Sequence, residues 1–204
     1  MKDRQMAKAK VLTKDEIRRT MRIAESGQNG LRDKTALALS IMAGMRIGEI
    51  AALTIGDMRG LDGKCVEVIN LSRHQTKGNR SRRVFVSDEL RKLINTYLAT
   101  QAKLGDGRAF IRSTRTGAHF SNVSLSLRFK AIYEAAGIRT SSHSGRRTFA
   151  TRLNAAGVGM RTIQTALGHS SIQTTALYCD VSDEQVMTAI NMIQKLNEKE
   201  PRSV

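Results

Sequence analysis

Four short stretches carry side chains able to act on a phosphodiester. GMRIGEIAAL offers Arg46 with Glu49 three residues on; HQTKGNRSRR offers Lys77; HSGRR offers His143 and Arg146; LGHSSIQTTALY offers His169 and Tyr178. Two arginines can donate to the non-bridging oxygens of a phosphate, histidine can move protons, lysine can protonate a leaving alkoxide, and tyrosine can attack as a nucleophile. Together this is metal-free phosphoryl transfer. Taken singly, each stretch has a plainer reading. Arg46–Glu49 is a helix-surface pair worth a few tenths of a kcal/mol. Lys77 is a solvated hairpin tip, His143 lies on a basic surface helix, and His169 and Tyr178 are core residues.

The elements that position these groups follow from periodicity and caps. VLTKDEI starts a helix, with Thr13 and Glu16 as a capping box and Leu12 and Ile17 as a hydrophobic staple; it ends near Gly27. LRDKTALALSIMAGM and RIGEIAALT give two further helices. KCVEVINL, SRHQTK and SRRVFV read as a three-stranded antiparallel sheet, with Gly78-Asn79 as a two-residue hairpin turn and Lys77 at its tip. Helices then follow over SDELRKLINTYLATQ and NVSLSLRFKAIYEAAG, over SSHSGRRTFATRLNAAG (capped by Ser141 or Ser142), and over MRTIQTALG. Ser182 and Gln185 form a capping box for a last helix with Val186, Ala189, Ile190, Ile193 and Leu196 on one stripe. In HSGRR, His143 and Arg146 share a helical face, whereas Arg147 points about 100° away. The fold class expected is mainly α with a small three-stranded sheet. Residues 1–10 form a basic arm, 11–197 one domain and 198–204 a polar tail.

Composition narrows the partner. Thirty-four Lys and Arg against eighteen Asp and Glu leave +16, which implies a polyanion, with nucleic acid ahead of a membrane surface because the charge runs along the whole chain. Two cysteines, Cys65 and Cys179, make no disulfide framework, and there is no metal-ligand spacing and no glycine-rich phosphate loop. No apolar leader or membrane-spanning window is present, so a cytoplasmic protein is expected.

GMRIGEIAALTIGDM, TKGNRSRRVFV, HSGRRTFATRLNAAG, IQTALGHSSIQTT and Tyr178, in that order and at those intervals, resemble the tyrosine recombinases of the phage integrase family. The resemblance covers roughly residues 11–196 and implies the catalytic-domain fold of DNA breaking-rejoining enzymes. It makes Tyr178 the nucleophile of a 3′-phosphotyrosyl intermediate, and Arg46 and Arg146 the phosphate clamp. Lys77 becomes the general acid to the leaving 5′-oxygen, His143 the proton acceptor, His169 a phosphate hydrogen-bond donor and Glu49 a support. It implies double-stranded DNA as partner, a homotetramer on paired sites, accessory DNA-bending proteins and no cofactor. Most members carry a DNA-clamping domain ahead of the catalytic one; here only about a dozen residues precede it, as in the short members that invert fimbrial promoter segments, in a minimal recombinase from a mobile element or in an excised catalytic domain. Rival readings are a type IB topoisomerase and a non-cleaving DNA-binding regulator. The final helix either closes its own core or docks on a neighbouring protomer.

Overall fold

The computed structural model describes residues 9–76, 78–177 and 183–197. Helix α1 (Lys14–Ser26) opens on the expected reciprocal box, the Thr13 hydroxyl accepting from the Glu16 backbone and the Glu16 carboxylate from that of Thr13. Helix α2 (Gly30–Ala43) is buried almost all round, as a helix without a polar stripe must be. It packs against α1, α5 (Asp88–Ala99) and α7 (Ser144–Ala155), so it is the axis of the domain. Its C-terminus runs straight into the turn that holds Arg46, followed by the short helices α3 (Ile47–Ala52) and α4 (Ile55–Met58).

The sheet has two strands among the described residues, not three. Strands β1 (Val68–Leu71) and β2 (Arg82–Phe85) pair antiparallel, with Ile69 opposite Val84 and Leu71 opposite Arg82. The SRHQTK segment expected to be extended instead forms a 3₁₀ turn at Arg73–Gln75. The Gln75 side chain causes the departure. Its amide donates to Asp57 Oδ2 (2.7 Å) and Ala52 O (3.2 Å), tying the turn to α3 and α4 and pulling it off the sheet. The turn at Gly78 and Asn79 has φ of 94° and 52°, the two positive values a primed hairpin turn requires.

The remaining helices are α6 (Asn122–Ala135), α8 (Met160–Leu167), α9 (Ile172–Ala176) and α10 (Asp183–Asn197). Helix α7 begins one residue later than a Ser142 cap would place it: His143 occupies the cap position, and its backbone N–H donates to Ser141 Oγ at 3.4 Å. A small second core of Ala150, Ile163 and Leu167, with Phe149 and Leu153 against it, locks α8 onto α7. On α10 the expected stripe residues Val186 and Ile190 are exposed, as are Met187 and Met192. The Ser182–Gln185 capping box lies outside the described residues. No described helix is long and apolar enough to cross a membrane.

Candidate active site

Arg46 sits at the cap position of α3, where the chain turns out of α2. The Glu49 carboxylate accepts from the Arg46 backbone N–H at 2.8 Å and from its Nη1 at 2.8 Å. One carboxylate thus completes a helix start and aims a guanidinium. Glu49 is buried, so this pair is far from the surface pair a bare i,i+3 spacing suggests. The other end of Arg46 is loosely held, its Nη2 standing 3.5 Å from Gly168 O.

Arg146 is buried on α7 and donates Nη1 to Gly44 O (2.5 Å) and Nη2 to Leu167 O (2.7 Å). Those carbonyls belong to the C-termini of α2 and α8, where unpaired oxygens and the negative end of the helix dipole favour a cation. Both helices end on a left-handed glycine, Gly44 and Gly168. Arg147, one position on, is half-buried and departs from this cluster, as the helical geometry requires.

The sequence reading missed Arg82. Cross-strand partners share a face, so Arg82 stands beside Leu71 and Val84 on the buried side of the sheet. Its Nη1 donates to the same Leu167 carbonyl and lies 3.7 Å from Glu49 Oε1. The signal was present in SRRVFV: period two places Arg82 with Val84, inward, and Arg83 outward. Burial pulls the Arg82 guanidinium below its ordinary range; the Glu49 carboxylate counters this and the Arg46 charge adds to it. Gly168 is required where the three arginines meet. Its φ is 62°, and a Cβ there would come within 2.6 Å of Arg82 Cδ.

His169 follows in the same turn and is buried, its Nδ1 2.9 Å from the hydroxyl of fully buried Thr175 on α9. Burial, reinforced by the charges of Arg146, Arg46 and Arg82, lowers its pKa to about 4, so it is a neutral imidazole at pH 7. Thr175 was also missed; it lies in the polar run between His169 and Tyr178, whose spacing alone shows no partner. His143 is exposed and lines a cavity of about 720 Å³ together with Arg46, Glu49 and Ser142. Lys77 and Tyr178 lie outside the described residues. Their neighbours are informative: Thr76 and Gly78 border a cavity of about 670 Å³ with Arg46, Arg82 and His169. The other two tyrosines are in the core. Tyr97 packs edge-on against Phe110 and burial pushes its phenol up to about 12, and burial likewise raises that of Tyr133.

Comparison with known proteins identifies the family and the fold. The model of the phage integrase family matches residues 10–185, a span containing all seven residues singled out above from the motifs. The chain belongs to the phage integrase family. This integrase-family chain is 33% identical over 168 residues to the tyrosine recombinase XerD of Staphylococcus epidermidis, covering 78% of the chain and 53% of the relative. The crystal structure of XerA recombinase superposes with a TM-score of 0.72 at 25% identity, covering 95% of this chain and 66% of that one. The XerH recombinase bound to palindromic difH substrate has the same fold, with a TM-score of 0.70 at 21% identity over 90% of this chain and 52% of that one. The chain therefore spans about half to two thirds of the length of these relatives.

Proposed function

We propose that residues 11–197 act as the catalytic unit of a site-specific DNA recombinase, which cleaves and rejoins double-stranded DNA through a 3′-phosphotyrosyl intermediate. The observation that carries this reading is the convergence of Arg46 and Arg146, with neutral His169 beside them, on the C-terminus of α8. In this reading the two guanidiniums neutralise the non-bridging oxygens as charge builds on phosphorus. His169 donates through Nε2 while Nδ1 is held by the Thr175 hydroxyl. Tyr178 Oη attacks phosphorus and passes its proton to His143, and the bond to O5′ breaks as Lys77 supplies a proton to that oxygen. The released 5′-hydroxyl, or that of a partner strand, then attacks the phosphotyrosine and reverses the steps. A phosphodiester is exchanged for a phosphotyrosyl ester, so the bond energy is kept and neither ATP nor a cofactor is called for.

The net charge of +16 supplies affinity for the DNA backbone, which makes binding strongly salt-dependent. Activity on paired sites calls for a homotetramer and admits accessory DNA-bending proteins. The exposed Val186, Met187, Ile190 and Met192 of α10 favour docking on a neighbouring protomer over closing its own core. The protein works where DNA is, in the cytoplasm and on the nucleoid. Residues 1–10 serve as a basic arm and 198–204 as a polar tail.

The test is covalent capture. A library of nicked duplexes is incubated with the protein, adducts are recovered under denaturing conditions, and the attached DNA is sequenced. The expected result is an adduct on one defined site, lost in Tyr178→Phe and kept in Tyr97→Phe. An adduct that survives Tyr178→Phe removes the nucleophile assignment. DNA binding without any adduct makes the chain a non-cleaving regulator.

A further inference from the structure

Arg82 has no role in the scheme above, yet its guanidinium has two contrasting sides. Its side chain is 7% exposed. Nη1 is engaged by Leu167 O and faces Glu49. Among the described residues, Nε and Nη2 are buried without a hydrogen-bond partner. These two atoms form the side-on edge of the guanidinium, whose parallel N–H bonds match a carboxylate or a phosphate.

The same chain shows what that edge does when it is filled. Arg32 lays Nε and Nη2 on Asp33 Oδ1 at 2.9 and 2.7 Å, and Arg128 lays the same two atoms on Oδ2 at 2.8 and 2.5 Å. Glu49 does not serve Arg82 in this way, because its carboxylate is committed to the side chain and backbone of Arg46. A buried guanidinium edge with no acceptor is unfavourable, and it persists where an anion arrives to fill it. Charge agrees: Arg46 and Arg82 share the Glu49 carboxylate, and Arg146 donates to the same Leu167 carbonyl as Arg82. Position agrees too, since Arg82 borders the cavity of about 670 Å³ shared with Arg46, Gly168 and His169.

We propose that Arg82 is a third anion-binding arginine of this site, its Nε–Nη2 edge taking a backbone phosphate of the DNA bidentately. The proposal rests on the DNA-cleaving reading, and it adds a phosphate contact outside the Arg46–Arg146 clamp. The edge is closed to solvent, so the phosphate replaces the packing of the Gly168 turn against it.

The test follows arginine Nε–H resonances of the full chain, labelled with ¹⁵N, at constant ionic strength. Inorganic phosphate is titrated in one arm and a duplex carrying the captured site in the other. The Arg82 signal is assigned by its loss in Arg82→Lys. The expected result is that the Arg82 Nε–H shifts and saturates with DNA, alongside those of Arg46 and Arg146. A shift of Arg46 and Arg146 with Arg82 unmoved overturns the proposal and leaves Arg82 a brace between Glu49 and α8. A shift with inorganic phosphate but not with DNA overturns the assignment to the DNA backbone. If none of the three moves in either arm, the reading of the whole site falls with it.

A second measurement compares variants. Arg82→Lys keeps the charge and loses the fork, so the rate of adduct formation falls by about tenfold or more while the melting temperature is held. A wild-type rate in Arg82→Lys contradicts bidentate binding.

Discussion

The chain buries arginine in two ways. Around Asp33, where α2 meets α6, two guanidiniums close on one carboxylate, each oxygen takes a side-on pair, and the third Arg32 nitrogen reaches Arg112 O at 3.0 Å. Around Glu49, at the junction of α2, α3, β2 and α8, Arg46 and Arg82 share one carboxylate, and Arg82 and Arg146 meet on the Leu167 carbonyl at the end of α8. Among the described residues, one edge there has no acceptor, and another contact is at 3.5 Å. In the first cluster the side-on edges of Arg32 and Arg128 are both filled by Asp33. Among the described residues, the second leaves the Nε–Nη2 edge of Arg82 without an acceptor, the arrangement expected where an anion is to be received. Arg46 and Arg146, by contrast with the Arg82 edge, are already fixed by Glu49 and the helix-end carbonyls, and donors held in place lower the reorganisation left for a reacting step.

The contrast can be broken by substitution. Asp33→Asn leaves buried Arg32 and half-buried Arg128 without their counter-charge and should cost about 3 kcal/mol in urea unfolding, with cleavage per folded molecule preserved. A loss of cleavage beyond the unfolded fraction would make the Asp33 cluster part of the site. Arg146→Ala should lower the rate of adduct formation by about 10²–10³-fold, and Arg147→Ala by far less. Equal losses would undo the helical-face distinction between these neighbours.

Smaller effects sharpen the picture around His169. Its folded pKa, about 4, lies below the ordinary value near 6.5, so the unfolded chain binds the proton more readily. Stability from this group is complete above about pH 6.5 and drains away as pH falls toward 4. Between pH 7 and 4.5 the wild type should lose about 2 kcal/mol more than His169→Asn in urea unfolding. Parallel pH profiles would place the imidazole in a more open environment. Thr175→Val removes the hydroxyl facing Nδ1; it should cost about 1 kcal/mol and shift the His169 ¹⁵N resonances toward the other tautomer, while Thr175→Ser preserves both. Unchanged resonances in Thr175→Val would mean that the hydroxyl does not set the tautomer.

Much of the fold was legible because its signals are local. The Thr13–Glu16 box, the glycine ending α8, and the Gly78-Asn79 turn each involve residues a few positions apart. The Arg46–Glu49 pair was legible for the same reason. The third strand was misjudged because Gln75 spends its amide on Asp57 and Ala52, a tertiary contact that no alternation pattern contains. Likewise, nothing in HSGRR says that Arg146 binds the ends of two helices, one of them 102 residues away. Arg82 was readable in principle from the inward phase of β2. It was passed over because an arginine among arginines reads as a solvated basic face.

The most direct test pairs Arg46→Ala with Arg32→Ala and measures unfolding free energy and adduct formation on the captured site for both. Arg32→Ala should lose about 3 kcal/mol of stability and keep its cleavage rate once folded. Arg46→Ala leaves buried Glu49 its pairing with Arg82 and relieves the repulsion between the two arginines, so its loss of stability should be smaller than that of Arg32→Ala while its cleavage falls by about 10²–10³-fold. That crossover is what one closed arginine cluster and one held open for phosphate require. Losses of stability and cleavage in the same proportion for both variants would contradict it.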